Sequence, residues 1–157
     1  MKNLIYSAVS LFAFITFASA QITNTTLQGE WKIAAVQSNG VTYEFATGKL
    51  QLDESLKAEG EPTAEELEMI NAQMKEQMDP FAKNSLSFDK EKMKLHYGDA
   101  DRSGTYTIKQ KDNKYFIETT YDTGAKKEIE FSLEGDLLHL IFTSPEGISG
   151  SMIYKHV

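Results

Sequence analysis

Leu27-Gln28-Gly29-Glu30-Trp31-Lys32-Ile33 holds the chain's one tryptophan and marks where polar sequence gives way to strand pattern. From Gly29 onward apolar and polar positions alternate, with Trp31, Ile33 and Ala35 on one face and Glu30, Lys32 and Ala34 on the other. A period of two is the signature of a half-buried strand, because successive side chains leave opposite faces. Ser38-Asn39-Gly40 supplies residues that tolerate the left-handed backbone of a tight hairpin. Val41-Thr42-Tyr43-Glu44-Phe45 then resumes the alternation, and a weaker strand runs from Lys49 to Leu52. Residues 21 to 26, ahead of the first strand, are polar and expected to be frayed.

Beyond position 84 the meander repeats. Ser85 to Asp89 and Lys92 to Tyr97 flank the turn Asp89-Lys90-Glu91, and Ser103 to Gln110 follows a longer loop, Gly98 to Arg102. Lys114 to Tyr121, Lys126 to Leu133, Leu137 to Thr143 and Ile148 to His156 come next. They are separated by Lys111-Asp112-Asn113, Asp122-Thr123-Gly124, Glu134-Gly135-Asp136 and Ser144-Pro145-Glu146-Gly147, all turn chemistry. A meander of eight or nine strands hides both of its edges only by closing on itself. The expected fold is all-β, an up-and-down antiparallel barrel, whose interior at this strand number holds packed side chains or one small ligand.

One segment breaks the pattern. Thr63 followed by Glu66 makes a capping box, and Leu67, Ile70, Met74, Met78 and Phe81 recur at spacings of three and four. The spacing predicts an amphipathic helix over about 63–79, stopped by Asp79-Pro80 because the residue before proline leaves the α region. Its methionines, Met69, Met74 and Met78, suit either a lid over a ligand cavity or a plug at one end of the barrel.

The chain opens on Met1-Lys2, an apolar run from Leu4 to Phe17, and Ala18-Ser19-Ala20, which reads as a signal peptide over residues 1–20. With no cysteine in the chain the signal is not of the lipoprotein type, so an exported, periplasmic or secreted domain over 21–157 is expected. Removing 1–20 takes Lys2 with it, so 16 Lys+Arg become 15 against 23 Asp+Glu, a balance of −8. Such an acidic domain is a poor partner for nucleic acid or an anionic membrane, and no stable membrane insertion is expected.

Gly29 and Trp31, placed after a signal peptide and at the head of a strand meander, resemble the opening motif of the lipocalin family and its shorter bacterial lipocalin-like relatives. The resemblance implies that the indole seals the closed end of the barrel under a stacked cation. The chain's one arginine is Arg102, in a loop, so Lys155 in the last strand is the expected substitute. Thr120-Tyr121-Asp122 is only a scrambled echo of the family's middle motif.

Function is expected to be non-covalent binding of a small, largely apolar molecule. The proposed walls are Tyr106, Ile108, Tyr115, Ile117, Ile129, Phe131 and Leu140, with Met74 and Met78 near the mouth. The other reading is a filled barrel whose outer faces or helix dock a protein, with an exposed apolar patch expected near Leu137 and Ile141, since the strand over 137–143 is apolar on both faces. His139 is expected to be half-buried with one hydrogen bond. No catalytic residue, metal or cofactor is expected. His96, His139 and His156 lack ligand spacing, and neither a cysteine nor a G-x-S-x-G is present. Asp99-Ala100-Asp101-Arg102-Ser103-Gly104 resembles half of a calcium loop but has Gln110 where the bidentate glutamate belongs.

Overall fold

The structure, a computed structural model, describes residues 22–60, 62–143 and 147–157, so the expected signal peptide lies outside the described residues. Ten strands are formed: β1 (Gly29–Ser38), β2 (Val41–Glu44), β3 (Lys49–Leu52), β4 (Ser85–Asp89), β5 (Lys92–Tyr97), β6 (Ala100–Lys111), β7 (Lys114–Tyr121), β8 (Lys126–Glu134), β9 (Leu137–Thr143) and β10 (Ser149–His156). Among the described residues three α-helices accompany them, α1 (Asn24–Leu27), α2 (Glu54–Glu59) and α3 (Ala64–Met78), the last followed by a 3-10 turn, Asp79–Phe81. Each strand from β4 to β10 pairs antiparallel with its sequence neighbour, and β10 returns to pair with β1. Eight strands, β1 and β4 to β10, thus close a barrel.

The barrel forks at β1. The first half of that strand, Gly29 to Lys32, pairs with β4, while Ala35 to Ser38 pairs with β2 on the same side. Between the halves the register against β10 slips: Ile33 faces Tyr154 but Ala35 faces Ile153. A one-residue slip turns the following side chains to the other face. Ala35 therefore points outward with Ile153, and the expectation that it shares a face with Trp31 and Ile33 is corrected. The fork is held by backbone bonds, Ile33 N–H to the Asn84 carbonyl at 3.0 Å and Phe45 N–H to the Ala34 carbonyl at 2.9 Å. Asn39 and Gly40, at φ 49° and 74°, make the β1–β2 turn with the left-handed backbone the sequence offered.

The helix forms where the capping box placed it. Thr63 accepts from Glu66 N–H, the Glu66 carboxylate accepts from Thr63 N–H at 2.8 Å, and that bond holds its pKa below the ordinary value. No side chain of α3 is fully buried, so the helix does not plug the barrel. It lies beside β3, where Asn71 Oδ1 accepts from Leu50 N–H at 2.8 Å. The side chains it half-buries are Leu67, Asn71, Met74 and Met78, whereas Ile70 is 40 % exposed. Ile70 therefore stands off the stripe expected of it. The expected loop from Gly98 to Arg102 is also shorter, because β6 starts at Ala100 and Arg102 already pairs with Leu95.

The core lies inside the barrel and joins Leu27, Trp31, Ile33, Leu86, Phe88, Met93, Tyr106, Ile117, Phe131, Leu138, Leu140 and Tyr154 in one buried cluster. Each comes from an inward position of its strand or from α1, whereas Ala35 and Ile153, on the outward face, are buried outside this cluster.

Candidate ligand site at the barrel mouth

The closed end is built by residues 24–31. Rather than fraying, the polar lead-in forms α1, whose Leu27 is 0 % exposed and whose carbonyl accepts from the Trp31 indole at 2.8 Å. That bond satisfies the one polar atom of a side chain otherwise buried to 2 % exposure, which is the condition for placing an indole in a core. Gln28 ties α1 across the end: its amide nitrogen donates to the Tyr106 hydroxyl at 2.9 Å, and its oxygen accepts from Lys90 N–H at 2.6 Å. Tyr106 packs on Phe88 with ring centroids 4.8 Å apart. Burial raises its phenol pKa, and the Gln28 bond opposes that rise.

Gly29 has two physical reasons to be glycine. Its φ of 112° is strained for any other residue, and an added Cβ would stand 2.6 Å from the His156 ring. That imidazole occupies the place expected of a cation, packing edge-on against Trp31 at 4.8 Å. Lys155 does not reach the indole. In the β1–β10 ladder Trp31 faces His156 and Lys155 faces Lys32, so alternation sends the lysine outward, where it lies 3.6 Å from Asp136.

The expected wall residues fall into two groups. Tyr115, Phe131 and Leu140 are direct cross-strand neighbours in one inward row, and Ile108, Ile117 and Ile129 form the next. Tyr106, Ile117, Phe131 and Leu140 are buried in the core cluster, where they chiefly cover one another. Ile108 and Tyr115 are half-buried but stand toward the β6–β7 turn, on the closed-end side of Tyr106, and not at the mouth. Met74 and Met78 are half-buried on α3, away from these rows.

Burial changes along the strands. On β5 Met93 is buried but Leu95, nearer the mouth, is half-buried; on β8 Phe131 is buried and Ile129 half-buried. Strands β9 and β10 repeat the step, from Leu140 to Phe142 and from Tyr154 to Met152. On these four strands the inward apolar side chains below the rim thus keep accessible surface that their neighbours at mid-barrel have lost, whereas on β7 Tyr121 stays buried at the rim, and Ile108, Tyr115 and Leu133 toward the other end are half-buried too. Sequence pattern marks these positions as inward but not as rim, because depth depends on how the registers shear around the barrel. The Tyr154 phenol points among them, its pKa raised first by burial and further by Tyr97. Tyr97 in turn packs on Phe81, just after α3, at 5.4 Å.

The rim carries charge. Between the start of β6 and the β7–β8 turn lies a concavity of about 660 Å³ lined by Arg102, Tyr121, Asp122 and Lys127 among others. Arg102 sits 5.9 Å from the Tyr121 ring centroid. A second concavity of about 340 Å³ lies on the outer face, where His96 Nδ1 is 2.6 Å from Asp101 Oδ1 and Ser85 faces His96 across the β4–β5 ladder. Asp101 is thus part of a strand, and the calcium-loop likeness of 99–104 has no structural counterpart. His139 is half-buried as expected, but its Nε2 makes no hydrogen bond among the described residues, and the nearest carboxylate oxygen, on Glu134, is 3.9 Å away.

Compared with protein-family models, curated proteins and solved structures, the chain gives no match.

Proposed function

We propose that this protein is an exported, lipocalin-like β-barrel that binds a small, largely apolar molecule without catalysing its conversion. The observation that carries the reading is the step in burial below the rim: Leu95, Ile129, Phe142 and Met152 face inward, are apolar, and are only half-covered. Inward-facing apolar surface left partly accessible is what a small apolar ligand buries. The kinship reading is supported by Gly29 and Trp31 at the head of the first barrel strand with the indole at the closed end, and the export reading by residues 1–20. In this account Tyr106, Ile117, Phe131 and Leu140 form the floor, and Ile108 and Tyr115 support that floor from below. Met74 and Met78 give α3 an adaptable apolar side beside the mouth.

Native mass spectrometry of the protein expressed from its full sequence tests this. The expected spectrum shows a chain lacking residues 1–20 and an excess mass that extracts into organic solvent. A bare protein mass, with no uptake of the neutral apolar dye N-phenyl-1-naphthylamine, would overturn the binding reading. The apolar surface that Leu137 and Ile141, each half-buried, keep on the outward face of β9 supports a second reading in which that face docks a protein. A concentration-dependent mass in light scattering that Ile141→Lys abolishes would support it.

A further inference from the structure

We infer that the mouth selects an anionic amphiphile, whose apolar chain lies against the half-buried residues below the rim and whose head group sits between Arg102 and Lys127. The inference rests on the apolar-binding reading and adds the chemical class of the ligand. Arg102 is the chain's one arginine. Its cross-strand row runs Trp31, Leu86, Leu95, Arg102, so it starts from the inward face. Lys127 faces Thr119, which is buried and donates to the Met93 sulfur, so it too starts from the inward face. Both cations line the 660 Å³ concavity with the Tyr121 ring and Lys126 between β6 and β8, and Arg102 also borders the 340 Å³ concavity of the outer face.

Neither cation has a carboxylate within 4.0 Å among the described residues. The outer face of the same strands behaves differently, with Lys109 on Glu118, Lys111 on Glu128 and Lys114 on Glu130. Two carboxylates border the concavity: Asp101 is turned to His96 on the outer face, and Asp122 stands at the β7–β8 turn without closing on either cation. In a chain of net charge −7, inward-based cations left without a carboxylate mark the place where a negative head group is attracted rather than repelled. Arginine also offers a planar pair of donors that fits two oxygens of a carboxylate or phosphate at once.

Displacement of bound N-phenyl-1-naphthylamine by dodecanoate, dodecyl phosphate and dodecanol, each below its micelle concentration, tests the inference. Dodecanoate or dodecyl phosphate is expected to displace the dye at about tenfold lower concentration than dodecanol. The double variant Arg102→Gln, Lys127→Gln is expected to erase that advantage while its affinity for the neutral dye is unchanged, which also shows that it folds. Whichever anion is favoured identifies the head group as carboxylate or phosphate. Dye uptake with all three competitors equal would overturn the inference and leave the apolar-binding reading standing. An advantage that persists in the double variant would also overturn it. Absence of dye uptake in the parent protein would remove both.

Discussion

The two ends of the barrel are made by the same strands yet are finished differently. At the closed end every polar group that enters the core has a partner: the indole has the Leu27 carbonyl, the Tyr106 hydroxyl has Gln28, and α1 is tied to β6 and to the β4–β5 turn. At the mouth Leu95, Ile129, Phe142 and Met152 stop short of full burial, although Tyr121 does not, and Arg102 and Lys127 are left without carboxylates. Burial that is complete and hydrogen-bonded stabilises, whereas surface left accessible contributes little until something covers it. The comparison therefore assigns stability to one end and recognition to the other.

The sharpest way to break that division is truncation at each end. Trp31→Ala is expected to cost about 3–5 kcal/mol in a denaturant titration, because a buried aromatic and its hydrogen bond are lost together. Leu95→Ala, below the rim, is expected to cost about 1 kcal/mol, while weakening dye uptake. Equal losses at the two sites would remove the distinction.

Alkaline pH sharpens it next. The Tyr154 phenol has a folded pKa raised above its ordinary value of 10.0, chiefly by burial. The unfolded chain then ionises first, so this group's contribution is intact below pH 10 and falls as pH rises above it. The slope approaches about 1.4 kcal/mol per pH unit. Thermal melts from pH 9 to 12 should show the loss, and Tyr154→Phe should flatten it; an unchanged profile in the variant would place the phenol in water.

A smaller effect separates the two residues that end β10. His156→Ala is expected to cost about 0.5–1.5 kcal/mol through the edge contact with Trp31. Lys155→Ala, whose exposed pair with Asp136 is screened, should stay within about 0.5 kcal/mol. Reversed values would restore the lysine to the indole. The least global effect belongs to Thr63→Ala. Losing the cap weakens α3 by about 1 kcal/mol, which hydrogen exchange in residues 64–78 should register. The barrel's own unfolding midpoint should hardly move, since α3 buries no side chain fully.

Much of this architecture was legible in the sequence because strand parity and turn chemistry are local. β4, β5, β7 and β9 have the bounds their alternation and flanking turns specify, and the capping box at Thr63 and Glu66 places α3. What was not legible depends on register between distant strands. The slip after Ile33 that turns Ala35 outward is fixed by pairing with β10, over a hundred residues away. The same ladder puts His156, and not Lys155, on the tryptophan. Nor does alternation tell depth: Tyr106 and Leu95 read alike as inward residues, yet one closes the floor and the other lies below the rim. In sequence the polar stretch Asp99-Ala100-Asp101-Arg102 reads as loop. Only pairing with Leu95 shows that the chain's one arginine starts from the inward face.

The most direct test is a titration of the isotope-labelled protein with dodecanoate, followed by amide ¹⁵N–¹H correlation spectra. Shifts are expected to concentrate at Leu95, Arg102, Lys127, Ile129 and Met152, with Leu27 and Trp31 unmoved. Shifts confined to the outer face of β9, or centred on Trp31 and α1, would contradict this expectation.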